Sequence, residues 1–440
     1  MNRKLSRVEL LCVTILALVL LLALQGVRTY GSPANDDTLR IGLNRCCKGV
    51  TRVTVSSSTD FRVMSTGSGE RLASGSEAAP ITLTAGKSEI ILTRHTGDAA
   101  GVGRSVTVVP DDPSGAVSLD CGARSRQYRG AVEINFESGG LRLVNVVGIE
   151  DYLLGVVPAE MSHNCPEEAL NAQAVVARTY AIRNQEKHRA HGYDLCDSTH
   201  CQVYDGVIAE QPECTRAVID TTGLVLAYDG KVAHVMYSAD CGGATANHAD
   251  VYAGAGLPYL RERADPVEVP HRSWEKDYTV KSLEEILLRA GVREAAGLKA
   301  IGVVKKSPAG RAVTVEITGG EGVGTISASR LRAVLGVSAM PSTLFEVETS
   351  TEGGVTFKGK GMGHGVGMCQ VGAISMAGAG NGYTYNRILA HYFPGTTISS
   401  LPSVGMVRTA LKSTAKPQTS SGERESNEIK FQVRVKEPKF

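Results

Sequence analysis

The segment VNVVGIEDYLLGVVPAEMSHNCPEEALNAQAVVARTYAIRN, residues 144–184, carries the change from strand to helix on which the reading of this chain turns. Its first residues end an alternating apolar run, and Ile149 to Gly155 then read as one or two helical turns. Pro158 interrupts them just before Ala159, Glu160 and Met161. Proline lacks the amide proton that a helix interior needs, so Glu160 is expected in a loop or at a helix edge. Pro166 opens the strongest helix of the chain. Glu167 and Glu168 fill its first turn, alanine recurs at 169, 172, 174, 177 and 181, and Arg183, Lys187 and Arg189 close it before Gly192. Proline first, acids early and bases late all suit the helix dipole. Positions 173, 177 and 180 share one face, so Gln173 and Tyr180 project together across the small Ala177.

Upstream of this segment the pattern is strand and turn. LRIGL, TRVTVSS, ITLTA and SVTVVP alternate apolar with polar residues between Gly, Ser, Asp and Pro, and YRGAVEINFESGGLRLVNVVG (128–148) reads as a hairpin turned at Ser138-Gly139-Gly140. Residues 38–148 are therefore taken as a β-rich region. Downstream, GLVLAYDGKVAHVMYSADCGG (223–243) reads as a hairpin turned at Asp229-Gly230, and residues 149–260 are grouped as a core. Residues 261–345 hold a helix, SLEEILLRAG, a hairpin around Pro308-Ala309-Gly310 and a second helix, ASRLRAVLG, which suggests a subdomain. Residues 346–404 return to the core through GKGMGHGVGMCQVGA (359–373), with glycine at 359, 361, 363, 365 and 367. Read as an extended strand, this run shows bare backbone on one face and Lys360, Met362, His364, Val366 and Met368 on the other. Residues 405–440 are polar, charged and aperiodic, and read as a disordered tail.

Composition narrows the class. In 440 residues there are 49 Gly and 16 Pro but one Trp and seven Phe, which favours short strands and tight turns in a mixed α+β fold. Lys and Arg number 47 against 45 Asp and Glu, so no broad basic surface is available and a nucleic-acid partner is not expected. At the N-terminus, Arg3, Lys4 and Arg7 precede an apolar run from Leu10 to Val27. Residues 1–30 are read as a retained membrane anchor rather than a cleaved signal, since no small-x-small site follows, with the rest of the chain outside the cytoplasm. The membrane would then be crossed once, through residues 10–27.

Three motifs, VNVVGIEDYLLGVVPAEM with PEEALNAQAVVARTYAIRN, DLCDSTHCQVYDG (194–206), and GKGMGHGVGMCQVGA with ILAHYFPGT (388–396), together resemble the stage II sporulation protein D family. The resemblance implies a lytic transglycosylase of peptidoglycan acting on glycan strands freed of stem peptides. It implies a strand-rich curved body with helices flanking a glycan-binding cleft, following one N-terminal transmembrane helix. The catalytic acid of the family's PAEM motif falls on Glu160. A hydrolase usually needs a second carboxylate, whereas a transglycosylase lets the C6 hydroxyl of N-acetylmuramic acid attack its own C1, so one Glu acts as acid and then base. The apolar residues Val156 to Ala159 and Met161 would raise its pKa.

The same resemblance suggests that the helix with Gln173, Arg178 and Tyr180 walls the cleft. Arg178 is equally a candidate structural partner of a carboxylate, and Tyr180 an ordinary core residue. His364 and Gln370 are read as hydrogen-bonding sugar hydroxyl or acetamido groups. Some members bind zinc near the central motif, where His191, Cys196, His200 and Cys201 are spaced H-x4-C-x3-H-C. Zinc there would be structural, bracing the loop with Ser198 and Thr199, and Cys241 is a distant further donor. A Cys196–Cys201 disulfide is the other reading. The family commonly has an aromatic near Cys165 and Ser or Thr at Cys369. Two buried thiols are expected at these departures in preference to a disulfide between them. By resemblance the partners are stage II sporulation proteins P and M, acting where a cell or forespore wall is remodelled. Two other classes stay open: a non-catalytic amidase enhancer of the LytB type, and a zinc-dependent amidase or peptidase.

Overall fold

The computed structural model describes residues 38–401 except 253, 350–352 and 379. The apolar N-terminal run and the C-terminal tail lie outside these residues. Among the described residues no helix is long and apolar enough to cross a membrane.

The alternating segments upstream of residue 149 build two sheets around one core. The first runs Leu195–Cys196, Thr38–Gly42, Gly140–Gly148, Ala131–Glu137, Ser105–Pro110, Phe61–Ser65 and Arg71–Gly75. The second runs Ser125–Arg129, Ala116–Asp120, Arg52–Ser57, Ile81–Ala85, Ile90–Thr93 and Ala99–Gly101. Every second side chain points inward, so Leu39, Ile41, Val63, Val106, Val108 and Ile134 meet Val53, Val55, Leu83, Leu92 and Leu119 in a single cluster. The hairpin turn after Glu137 is as expected, with Glu137 opposite Gly140. A disulfide, Cys47–Cys121, joins the turns that follow Thr38–Gly42 and Ala116–Asp120.

The first core is closed by three helices, α1 (Ile149–Glu160), α2 (Glu167–Arg183) and α3 (Pro212–Asp220). The first corrects the sequence reading, because α1 continues through Pro158 to Glu160. Pro158 sits in the last turn, where its missing N–H forfeits one bond, and Met161 N–H still closes the helix on Val157 O at 2.9 Å. Gly155 is needed within α1, since a Cβ there would meet the Tyr204 ring at 2.7 Å. At its C-terminus α2 stops at Arg183, short of Lys187 and Arg189, and Asn184 Nδ2 donates back to Tyr180 O at 2.8 Å.

Buried residues run all round α2, which is why it is rich in alanine. Ala169, Leu170, Ala174, Ala177 and Ala181 face the first core, whereas Ala172, Val175 and Val176 face a second. That second core gathers the hairpin Leu224–Tyr228 and Lys231–Val232, turned at Asp229-Gly230, together with α7 (Gln370–Ala377) and α8 (Tyr385–Tyr392). The short helix α4 (His248–Val251) lies in the excursion between them. A third core, with Leu283, Leu287, Val315, Ile317, Leu331 and Phe357, is enclosed by α5 (Val280–Arg289), α6 (Ala328–Leu335) and two three-stranded sheets. The strand Ser273–Thr279 leads into this unit and Gly354–Lys360 leads out, paired from Ser273 opposite Lys360 to Thr279 opposite Gly354.

The glycine-rich run is not the flat strand expected of it. Gly361, Gly363, Gly365 and Gly367 all take φ between 77° and 109°, a left-handed region that folds the chain at every second residue. The space beside them is filled by protein: a Cβ at Gly361 would meet Asp240 O at 2.8 Å, and one at Gly363 would meet Ser238 Cβ at 2.7 Å. The glycines thus admit the neighbouring segment 236–242 and leave no bare face for a ligand.

Arg178 lies where α1, α2 and α3 meet. Its side chain has no exposure, and its Nε and Nη2 donate to Glu150 Oε1 and Oε2 at 2.8 and 2.7 Å. Nη2 also donates to Val218 O and Nη1 to Leu224 O, at 3.2 and 3.1 Å. Removing the carboxylate strands a buried charge. Glu150→Gln is expected to lower stability by about 2–3 kcal/mol, less than a fully buried pair because Glu150 is partly exposed. Chemical denaturation of the purified variant measures it.

Candidate active site

Glu160 ends α1 with its carboxylate turned into protein. Val203 N–H donates to Glu160 Oε1 at 2.8 Å, and the Tyr237 hydroxyl lies near enough to favour the ionised carboxylate as well. Burial raises its pKa above the ordinary glutamate value, against the opposing pull of these two donors and of the Arg45 charge. Among the described residues no carboxylate is a partner of it. The apolar setting read from Val156 to Met161 thus has its expected effect.

Around this acid the structure gathers side chains from four separate parts of the chain. Gln370, at the start of α7, donates through Nε2 to Glu160 O and to Gln173 Oε1, each at 3.2 Å. Gln202, wholly buried, donates to Tyr237 OH at 3.2 Å and to Ala177 O at 3.4 Å, and accepts from Tyr152 OH at 3.5 Å. The rings of Tyr180 and Tyr237 meet edge to face with centroids 6.5 Å apart, and Lys187 Nζ donates to Tyr180 OH at 3.2 Å. Tyr237 and Gln202 carry no role in the sequence reading. The only signal for Gln202 was its place in DSTHCQVYDG, and Tyr237 sat unmarked in an alternating run.

The loop that supplies Val203 begins at a cluster of four metal-binding side chains: His188, Cys196, His200 and Cys201, with donor atoms all within 4.8 Å of one another. Cys201 Sγ lies 3.2 Å from His188 Nε2, and His200 Nδ1 lies 3.7 Å from both sulfurs. Ligands around a tetrahedral zinc stand roughly 3.3–3.8 Å apart, given bonds of about 2.0–2.3 Å, so this S2N2 set fits zinc. With all four positions filled by protein, such a site is structural. The hydrogen bond from Cys201 holds the Cys196 thiol down at about 3, while that shared proton and burial push Cys201 up.

Two expectations change here. His191 is not in the cluster: residues Arg189–His191 form a turn of 3-10 helix that leaves its side chain exposed, with its carbonyl accepting from Arg142 Nη1. His188, one turn earlier, takes the place. Cys241 is also elsewhere, beside Cys369 in the second core, where Cys241 N–H donates to Cys369 Sγ at 3.2 Å.

The profile of the family described as Stage II sporulation protein matches residues 137–228, which include α1, α2, Glu160 and the whole Cys/His cluster. Stage II sporulation protein D of Bacillus amyloliquefaciens is 30% identical over 276 residues, 59% of this chain and 76% of that protein. The chain belongs to the stage II sporulation protein D family. An uncharacterized protein of Brachyspira hyodysenteriae is 34% identical over 274 residues, 62% of this chain and 72% of its own length. The amidase enhancer of Bacillus subtilis is 31% identical over 349 residues, 68% of this chain but 47% of that longer protein. A domain of unknown function matches residues 268–367, the third-core unit with its flanks.

For this family member the structure separates the residues picked from sequence. Glu160, Gln173 and Gln370 come together, with Tyr180 packed nearby on Tyr237. Gln173 is fully buried and positions Gln370. Arg178 does not line the site, because Glu150 and backbone carbonyls occupy its donors. Ser198 sits within the Cys/His loop, its Oγ 3.3 Å from Cys196 Sγ, and Thr199 is exposed beside it. His364 packs on Tyr252 with ring centroids 5.9 Å apart, and its Nδ1 accepts from Val366 N–H at 3.0 Å. Burial drops its pKa to about 4, which keeps the ring neutral. Cys165 and Cys369 are free thiols in different places, Cys165 half-buried with Cys214 for a neighbour.

A raised carboxyl pKa in the folded state has a definite sign for stability. Native Glu160 keeps its proton to higher pH than the unfolded chain does, so its contribution is complete below the ordinary glutamate range and is lost as pH rises through the raised value. Glu160→Gln removes that loss. Thermal melts from about pH 4 to about pH 8 are expected to show the variant gaining on the wild type with rising pH, and a constant difference below the carboxylate range.

Proposed function

We propose that this protein is a lytic transglycosylase that cleaves the glycosidic bond between N-acetylmuramic acid and N-acetylglucosamine in peptidoglycan. The observation that carries it is Glu160: one desolvated carboxyl, held by Val203 N–H and facing Tyr237 OH, with no partner carboxylate among the described residues. A group protonated by burial can give its proton to the leaving glycosidic oxygen. Once ionised, it is stabilised by the same two donors, and it can take the proton of the muramic C6 hydroxyl as that oxygen closes on C1. The product is a 1,6-anhydro sugar. Water plays no part in the bond cleavage, which is why a second carboxylate is not required.

We infer that this chemistry serves remodelling of the cell wall during sporulation, on strands freed of stem peptides, and we assign the protein to the outer side of the cytoplasmic membrane, where that substrate lies; membership of the sporulation family supports the cell-wall role. An amidase and a membrane protein of the same sporulation stage, proteins P and M, are its proposed partners. Zinc at His188, Cys196, His200 and Cys201 is proposed as a brace. Val203 follows Cys201 by two residues, so fixing the cluster fixes the N–H that orients Glu160. The metal supplies rigidity there, and all proton transfer rests with Glu160.

The resemblance to an amidase enhancer supports a second reading, in which the protein binds wall and stimulates another enzyme without cutting glycan. Product analysis separates the two. Digestion of denuded glycan strands, followed by mass spectrometry, is expected to release 1,6-anhydro fragments. Glu160→Gln should cut that release by roughly 10²–10⁴-fold or more. Tyr237→Phe, which removes one bond to the ionised acid, should cost about 10–100-fold. Anhydro product from Glu160→Gln at the wild-type rate would sink the assignment, and no product from the wild type would favour the enhancer.

A further inference from the structure

A second cluster of donor atoms lies beside Cys369, the residue before Gln370. Cys241 Sγ, Asp265 Oδ2 and His271 Nε2 stand within 4.8 Å of one another. Asp265 Oδ2 is the hub, 3.1 Å from the thiol and 3.1 Å from the imidazole nitrogen. Cys241 has no exposure, the Asp265 side chain 5% and the His271 side chain 17%. Neither the glycan chemistry nor the Cys/His loop uses these residues.

What surrounds the three donors fixes their orientation. His271 Nδ1 is 2.7 Å from Asp240 Oδ1, and Asp240 is itself held by Arg272 N–H and Gly242 N–H, each at 2.8 Å. A carboxylate on one ring nitrogen sets the tautomer and aims the lone pair of the other outward, as in metal-bound histidines. Here the other nitrogen, Nε2, faces Asp265 Oδ2 at 3.1 Å. Tyr392 OH, at 3.2 Å, engages the other oxygen of Asp265, so Oδ2 is the one left facing the cluster. An imidazole lone pair and a carboxylate oxygen converging on a buried thiol repel each other unless a cation or a proton stands between them. A thiol, an imidazole and one carboxylate oxygen suit a borderline-soft divalent metal better than magnesium or calcium.

We propose that Cys241, Asp265 and His271 bind a divalent metal of the zinc type, distinct from the one assigned to the Cys/His loop. Binding exchanges the Cys241 thiol proton, released to water, for a sulfur–metal bond. Cys369 adjoins the site, its Sγ accepting from Cys241 N–H at 3.2 Å. The site clasps two pieces of chain, the segment after Tyr237–Ser238 and the segment leading into the third-core unit, and Cys241 N–H bonds it to Cys369 at the start of α7. Since Gln370 follows Cys369 directly and bonds Glu160 O, the clasp braces the active site from behind.

Metal content of the purified full-length protein, measured by elemental mass spectrometry after gel filtration without chelator, tests this. The wild type is expected to carry about two zinc ions per chain. Asp265→Asn and His271→Gln, both close in shape to the native residue, should each remove one and leave the ion lost in Cys201→Ser. Loss with Cys201→Ser alone bears only on the loop site, so failure of either site is visible separately. If the two variants fold poorly, cobalt titration of the Cys196→Ser/Cys201→Ser protein decides, because a sulfur-to-cobalt charge-transfer band at one equivalent then reports Cys241. Unchanged zinc in Asp265→Asn and His271→Gln, absence of that band, or a Cys241–Cys369 disulfide in the intact protein overturns the proposal.

Discussion

A guanidinium sealed among three helices sets the geometry that the rest of this molecule uses. Arg178 cannot lose its charge, and burying it unpaired would cost several kcal/mol. Its position on α2 is therefore workable only if α1 delivers Glu150 and α3 and the strand Leu224–Tyr228 deliver carbonyl oxygens, all at once. The two-pronged bond to Glu150 fixes the first turn of α1. Ten residues later, at about 1.5 Å of rise per residue, the same helix ends at Glu160. A residue with no route to the substrate thereby fixes where the acid stands relative to Gln173 and Tyr180, which ride on α2 itself.

Much of the architecture could be read from periodicity because its cause is local. Alternation from Leu39 onward had to give strands with one wet face, and Asp229-Gly230 had to turn a hairpin. The two failures have non-local causes. Pro158 looked like a helix stop, but α1 needs only one more turn and packs against Tyr204 along Gly155, so tertiary burial carries it past the proline. The glycine run looked extended because glycine spacing is the same for a pleated strand and for a chain folded at every second residue. Only the segment 236–242 pressed against it distinguishes them.

The site was legible in part for the same reason. Glu160 and its apolar neighbours are contiguous, so the direction of its pKa shift followed from the sequence. Its donors are not contiguous. Val203 N–H is a backbone group and leaves no trace in residue type, while Tyr237 is one of 14 tyrosines. The histidine of the cluster was misplaced by three residues because spacing along a chain says little where a 3-10 turn reverses it, and His188 rather than His191 returns to the sulfurs. Arg178 drew attention as a charged residue on a cleft helix, yet its charge is spent inside the protein.

The third-core unit enters at Ser273 and leaves at Lys360, and these residues face each other across one antiparallel ladder. A segment hung by two adjacent strands can be lengthened, shortened or exchanged without moving the chain on either side. The sequence profiles divide at the same place, one matching residues 137–228 and another 268–367. The fold thus offers a port for insertion beside an unchanging core. Whatever is grafted there travels with Glu160, so the unit can change while the setting of that carboxyl stays the same.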